Sequence, residues 1–181
     1  MIVRATEPRD AAGLAEVYAD AVLHGLGTFE EAPPSPAEME ARRAKVAGYG
    51  LPHLVAEDGG RVLGFAYAGP FRPRPAYRFT AEDTVYVHPG AKGRGVGRAL
   101  LAEVVARCEA MGLRQLVALV GDSGNAASIR LHEALGFERA GLLPGVGHKH
   151  GRWVDVVWMR LELNGGAASA PGAAGLDLRE A

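Results

Sequence analysis

At 181 residues, the chain is long enough for one domain with a full hydrophobic core. Its 20 Lys+Arg against 21 Asp+Glu leave a formal net charge of −1, which argues against a nucleic acid or an acidic membrane surface as partner. The lone cysteine excludes an intrachain disulfide, no apolar run approaches the roughly 20 residues of a membrane span, and residues 1–5 carry no signal-peptide pattern, so a cytoplasmic protein is expected.

Residues 1–5 read as a short strand. Glu7-Pro8-Arg9-Asp10 opens a helix whose Ala11, Leu14, Val17, Tyr18 and Val22 share one apolar face; it ends near His24-Gly25. Thr28-Phe29-Glu30 follows in a loop. Ser35-Pro36-Ala37-Glu38 has the form of a capping box with proline at the first helical position, and predicts a more polar helix to about Gly48. Two β-rich runs, 54–57 and 61–68, flank Asp58-Gly59-Gly60, which is a hairpin signal. Residues 69–78 are irregular, basic and broken by proline. Arg72, Arg74 and Arg78 there are either solvated loop charges or part of a site for an anionic substrate.

Residues 79–88 predict the central strand. Alternation sets Thr80, Glu82, Thr84, Tyr86 and His88 on one face and Ala81, Asp83, Val85 and Val87 on the other. Pro89-Gly90 ends the run. From Val96 the period becomes helical: Val96, Leu100, Leu101, Val104, Val105, Cys108 and Met111 share a face, and Gly112 follows as a stop. On that face Cys108 reads as a small buried hydrophobe, not a nucleophile. Residues 115–120 are a buried-type strand. Asp122-Ser123-Gly124 leads into a helix holding Asn125 and Ser128, which Gly136 stops. Residues 137–149 and 152–163 predict a final pair of strands turned at His150-Gly151, with Trp153, Val157 and Met159 in the core. From Asn164 the composition shifts to Gly, Ala, Ser and Pro. This predicts one domain over 1–163 and a disordered tail over 164–181.

Gly93, Gly95 and Gly97 therefore sit where a helix begins. Free backbone N–H groups and the helix dipole there favour a phosphate-bearing ligand. A dinucleotide fingerprint wants its glycines after the first strand of a βαβ unit, with an acid about 20 residues on. Here the loop lies midway along the chain, and the longer second gap is missing. A nucleotide P-loop needs Gly-Lys-Ser/Thr, which is absent. A pyrophosphate cradle for coenzyme A and a plain strand-to-helix turn remain.

Lys92-Gly93-Arg94-Gly95-Val96-Gly97 resembles the coenzyme A-binding motif of the GNAT N-acetyltransferases, Gln/Arg-x-x-Gly-x-Gly/Ala, with Lys92 in place of the usual Gln/Arg. Asn125-Ala126-Ala127-Ser128-Ile129-Arg130-Leu131-His132-Glu133-Ala134-Leu135-Gly136-Phe137 resembles the second signature of that family, in the right order and spacing. Tyr67-Ala68-Gly69-Pro70 and the stretches 80–87, 128–137 and 146–156 are similar to the branch that acetylates phosphinothricin and methionine sulfoximine. The resemblance covers nearly the whole chain to Leu163. It implies an α/β (α+β) GNAT fold, a central mixed, mostly antiparallel twisted sheet of about seven strands flanked by about four helices. It further implies acetyl-CoA as co-substrate, no metal, a small amino-acid-like acceptor, no nucleic acid or membrane partner, and a homodimer. Val85, Tyr86, Val87, Gly93, Arg94, Gly95, Val96, Gly97, Arg98, Asn125 and Ser128 are implied to hold the coenzyme. In this fold the central strand parts from its neighbour and leaves free backbone groups for it.

Acyl transfer to an α-amino group needs a base, because an amine with a reference pKa of about 7.7–8.0 is largely protonated at neutral pH. Glu82, on a face with hydroxyl neighbours, is the candidate, provided burial raises its pKa. A strand backbone N–H is expected to meet the oxyanion. The thiolate leaves with a reference pKa near 8.5, so acid help is useful but not essential. His132 stands where many GNAT enzymes carry an acid tyrosine, and is the candidate to give that help or to orient the substrate. Phe29 is a candidate pocket wall. Arg72, Arg74 and Lys149 are candidate cations for the acceptor carboxylate. Plain structural roles are the alternative for each of these residues. Acetylation of another amine, a peptide N-terminus or a polyamine, stays open, although the basic loop argues against a polyamine. So does a non-catalytic acyl-CoA-sensing module, against which Glu82 and His132 weigh.

Overall fold

The computed structural model describes residues 1–178; residues 179–181, the end of the expected tail, lie outside the described residues. Its strands are β1 (Ile2–Ala5), β2 (His53–Asp58), β3 (Arg61–Pro70), β4 (Thr80–Val87), β5 (Gln115–Gly121), β6 (Glu138–Lys149) and β7 (Arg152–Glu162). Its helices are α1 (Ala11–His24), α2 (Pro36–Gly48), α3 (Val96–Ala110) and α4 (Ala126–Glu133). The strands form one seven-stranded sheet in the order β1-β2-β3-β4-β5-β7-β6. Only β4 and β5 pair in parallel; every other neighbour is antiparallel. This is the mixed, mostly antiparallel sheet with flanking helices that the sequence leads one to expect.

Local chemistry sets the boundaries. Gly59 and Gly60, both at positive φ, make the tight turn from β2 to β3. Ser35 Oγ accepts from the Glu38 N–H at 3.2 Å and caps α2. The Glu38 carboxylate pairs with Arg42 one turn on, so the expected box closes in one direction.

Alternation along β3 and β4 splits the core between two faces. On one, Phe65 packs with Leu14, Tyr18, Val22 and Met39 of α1 and α2, and Tyr86 lies against them. On the other, Ala66, Ala68 and Ala81 lie under Leu100, Leu101, Val104 and Cys108 of α3. The small alanines let α3 approach the sheet. Each fully buried leucine there contributes about 1.5–3 kcal/mol of transfer free energy. Cys108 is fully buried, and burial pushes its thiol up to about 12, as suits an inert hydrophobe.

Two expectations differ from the structure. Val157 and Met159 are core, but Trp153, on the same face of β7, is 70 % exposed. It stands close to the tip of the β6–β7 hairpin against His148, ring centroids 5.1 Å apart. Size suggests a core tryptophan; position along the hairpin decides otherwise. Residues 164–178 are not the expected disordered chain. Leu176 and Leu178 join the core beneath α3, the Leu176 N–H donates to the Arg78 carbonyl at 2.8 Å, and Asn164 donates to Glu109 and Leu113 carbonyls. Two buried leucines give a Gly/Ala-rich segment enough apolar area to dock, and average composition hides them.

Candidate active site

β4 and β5 are in register at Thr80–Gln115, Ala81–Leu116 and Glu82–Val117, and there the pairing stops. Past Glu82 the strands part, although β5 continues to Gly121. The gap opens into a cleft of about 910 Å³. Asp83, Thr84, Val85, Tyr86 and Val87 line one side, and Ala118, Leu119, Val120 and Gly121 the other. The start of α3, the inner side of α4, and the end of α1 with residues 25–28 complete it. Every residue named from the sequence for the coenzyme lines this cleft except Arg94. Arg94 turns away to Asp58 at 3.3 Å.

Gly95 is the N-cap of α3 at φ +79°, and Gly93 has φ +77°, conformations that L side chains rarely adopt. No side chain caps α3, so its first-turn N–H groups stay free for an anion. Gly97 is bare for another reason. A Cβ there would meet Leu131 at 3.2 Å and Val87 at 3.4 Å, so the glycine lets α3 pack on α4 and β4. Asn125 is the N-cap of α4; its Oδ1 accepts from the Ser128 N–H at 3.2 Å.

Glu82 stands at the fork, between Gly69 of β3 and Val117 of β5. It is half-buried. Burial pushes its carboxyl above the usual carboxylate range, the Asp83 charge adds to that, and Arg72 opposes it. This is the direction a base needs.

The next residue is one that sequence reasoning passed over. Asp83 points to the α3–α4 face and is buried, as is His132 of α4. Asp83 Oδ2 lies 3.0 Å from His132 Nε2, and His132 Nδ1 lies 2.7 Å from the Ser128 carbonyl oxygen. The Phe137 ring stands edge-on to the imidazole, centroids 5.0 Å apart. Burial works against a charged His132, but the Asp83 and Ser128 bonds outweigh it and hold the ring above the ordinary histidine value. Burial likewise pushes Asp83 up, against the pull of His132, so the two titrate as a unit. A signal for Asp83 existed: it is a carboxylate on the apolar face of a strand, opposite a histidine on the apolar face of a helix.

The acceptor-side candidates are scattered. Arg72 is exposed, its guanidinium 5.1 Å from the centre of the Phe71 ring, and its charge reaches Glu82. Arg74 is exposed in the same loop. Lys149 is not an open cation: it is 1 % exposed and its Nζ donates to the Thr28 carbonyl at 2.9 Å. Burial lowers its pKa, against the pull of Glu31 and Glu30. It therefore anchors the loop between α1 and α2 from beneath. The same loop is held by Tyr18, whose hydroxyl lies 2.7 Å from Thr28 Oγ1 and donates to Glu30 at 2.9 Å; Arg42 grips Glu30 in turn. Phe29, 42 % exposed, lies on the bare backbone of Gly147, where a Cβ would come within 2.5 Å of its ring. The α1–α2 side of β4 also holds a small cavity of about 180 Å³ walled by Tyr18, His53, Phe65, Tyr67 and Tyr86.

Among the described residues, no three His, Cys, Asp or Glu side chains are grouped to hold a metal ion, and no helix is long and apolar enough to cross a membrane. The acetyltransferase (GNAT) family model matches residues 19–137. Phosphinothricin N-acetyltransferase of Alcaligenes faecalis is 53 % identical over 169 residues, 93 % of this chain and 86 % of the relative. An L-methionine sulfoximine/L-methionine sulfone acetyltransferase of Pseudomonas aeruginosa is 43 % identical over 156 residues, 86 % of this chain and 90 % of the relative. Among solved structures, a phosphinothricin acetyltransferase from Sinorhizobium meliloti in complex with AcCoA superposes with a TM-score of 0.90. The two are 46 % identical, over 94 % of this chain and 92 % of that one. The chain belongs to the GNAT family, and it is an N-acetyltransferase that uses acetyl-CoA.

Proposed function

We propose that this enzyme acetylates the α-amino group of a small amino acid or amino-acid analogue of the phosphinothricin or methionine sulfoximine type. One observation carries the reading: Glu82 stands at the fork where β4 leaves β5, at the edge of the cleft and on the α1–α2 side of the sheet. The pyrophosphate of acetyl-CoA lies against the first turn of α3 at Gly93, Gly95, Val96, Gly97 and Arg98. Its pantetheine arm runs in the gap, along the Val85 and Val87 backbone freed by the split. Asn125 and Ser128 border it from α4.

The acceptor enters from the α1–α2 side. Its ammonium gives a proton to Glu82, directly or through water, and the free amine attacks the thioester carbon. A backbone N–H of β4 past the fork faces the developing oxyanion. The C–N bond forms, the C–S bond breaks, and its electron pair leaves on sulfur. Arg72 and Arg74 supply positive charge for the acceptor carboxylate, with Phe29 at the pocket wall. Lys149 serves through the loop that it anchors. The small aromatic cavity supports an acceptor with a compact side chain, as do the names of the relatives.

A cytoplasmic location fits the supply of acetyl-CoA. A homodimer is supported by apolar side chains exposed on the edge hairpin: Leu142, Leu143, Val146 and Trp153. Light scattering at micromolar concentration checks this, and a monomer there removes it. The main test is thiol release from acetyl-CoA with a panel of amines. Phosphinothricin, methionine sulfoximine or a related amino acid is expected to give the highest kcat/KM. Turnover confined to peptides or polyamines overturns the acceptor class. No turnover with any amine, alongside tight acetyl-CoA binding, favours the sensing module.

A further inference from the structure

The buried pair beside Glu82 bears on how the sulfur leaves. A carbonyl oxygen can only accept, so the 2.7 Å contact to Ser128 fixes a proton on His132 Nδ1. The 3.0 Å contact at Nε2 faces Asp83 Oδ2, so one proton lies between the ring and the carboxyl. Both side chains are at most 3 % exposed, so the pair is largely withdrawn from solvent. Asp83 Oδ1 is buried too, and finds no partner among the described residues. If that proton were lost to solvent, Asp83 would be a buried carboxylate without its His132 donor, left with a backbone bond alone. Such an arrangement is costly in a protein interior.

We propose that Asp83 is a positioning residue that keeps His132 doubly protonated, so that His132 serves the leaving sulfur as a fixed cation and not as a proton donor. This rests on the acetyl-transfer reading above. The reacting thioester must lie near Glu82, and His132 is bonded to the residue that follows it in β4. Both members of the pair line the cleft. The thiolate carries off the electron pair of the C–S bond and takes its proton from water once the products part; its reference pKa near 8.5 lets it leave unaided by an acid. The charged and titratable groups around the pair are few. Glu82 precedes Asp83 in β4, Cys108 faces it from α3, and β5 contributes none. On α4, Arg130 and Glu133 are exposed.

Nitrogen-15 spectra of histidine-labelled enzyme, without substrate, test this across pH 6 to 9. The His132 ring should show two protonated nitrogens to well above the ordinary value of about 6.5. In Asp83→Asn the ring should titrate at or below that value. The variant's kcat should fall on the order of ten- to a hundredfold, less than for loss of a direct oxyanion donor. It should also gain a descending limb as the ring loses its charge, with the acetyl-CoA dissociation constant unchanged. Asp83→Glu should restore part of the rate. A wild-type His132 with a bare Nε2 at pH 7 overturns the proposal, and so does an Asp83→Asn rate profile that keeps the wild-type shape. Should Asp83→Asn not fold, the wild-type spectrum alone decides. Because it is recorded without acceptor, its outcome is separate from any failure to find acetyl transfer.

Discussion

The two faces of β4 are built on different plans. Toward α3 and α4 the cleft draws mainly on residues 85–98, faced by Ala118 to Gly121 of β5 and by α4. Much of what it offers is backbone: a strand without a partner and the open end of a helix. Toward α1 and α2 the site is made of side chains from segments far apart in the chain. Glu82 feels the charge of Arg72 there, while Phe29 lies on Gly147 and Lys149 holds the Thr28 loop. In the proposed reading, the backbone-built face holds acetyl-CoA, the co-substrate. A face built from dispersed side chains can change its acceptor one residue at a time. Chemistry should therefore fail at single positions on β4, and specificity should erode gradually.

The largest effect is expected at Glu82. Glu82→Gln keeps size and hydrogen bonding but takes no proton. It should lower kcat by about a hundred- to ten-thousandfold, with acetyl-CoA binding intact. Wild-type activity should rise with pH as the carboxylate ionises, on a limb shifted above the usual glutamate range. The variant should lose that limb. Stability gives an independent check with a fixed sign. A carboxyl with a folded-state pKa above its unfolded value favours the fold while protonated, and that contribution is lost as pH rises. Wild type should therefore lose stability relative to Glu82→Gln as pH rises from about 4.3, the reference glutamate value, through the raised folded-state value. A folded Glu82→Gln enzyme with wild-type turnover across pH removes Glu82 as the base.

Next comes the backbone face. Acetyl-CoA at a hundredfold excess over its dissociation constant should stabilise the wild type by about 2.7 kcal/mol. Gly95→Asp forces a side chain into the left-handed region and sets a negative charge at the proposed pyrophosphate cradle. It should abolish the ligand-induced rise in Tm. A wild-type Tm unmoved by acetyl-CoA breaks the assignment of the cleft.

How much was legible in the sequence follows the same division. The backbone face announces itself through local rules: strand alternation to Val87, glycines at the turn, a helical period from Val96. Those rules also placed Glu82 on the face it shares with Thr84 and Tyr86. The split of the strands came from the motif resemblance, since no local pattern records where a ladder stops. Asp83 escaped notice because alternation assigned it to an apolar face and its partner lies 49 residues on. The burial of Lys149, read from the sequence as a candidate cation for the acceptor, was hidden for the same reason: it depends on a loop far upstream, at a separation of 121.

The smallest effects are expected where the two cations of the acceptor side differ. Arg72 is exposed, so its charge is screened in the free enzyme and counts when a carboxylate desolvates against it. Arg72→Ala should raise the acceptor KM about tenfold or less, the scale of one charge-assisted hydrogen bond, and leave the acetyl-CoA KM unchanged. Lys149→Met keeps most of the buried volume and gives up the bond to Thr28. A buried lysine held by a carbonyl carries a desolvation penalty that partly offsets that bond, so stability should change by about 1 kcal/mol or less. Its acceptor KM should move less than that of Arg72→Ala, and for both acceptor and acetyl-CoA alike if the Thr28 loop shifts. The comparison breaks if the order inverts. An acceptor KM raised more by Lys149→Met than by Arg72→Ala, with melting unchanged, makes the buried ammonium the anion site, reached when the α1–α2 loop opens.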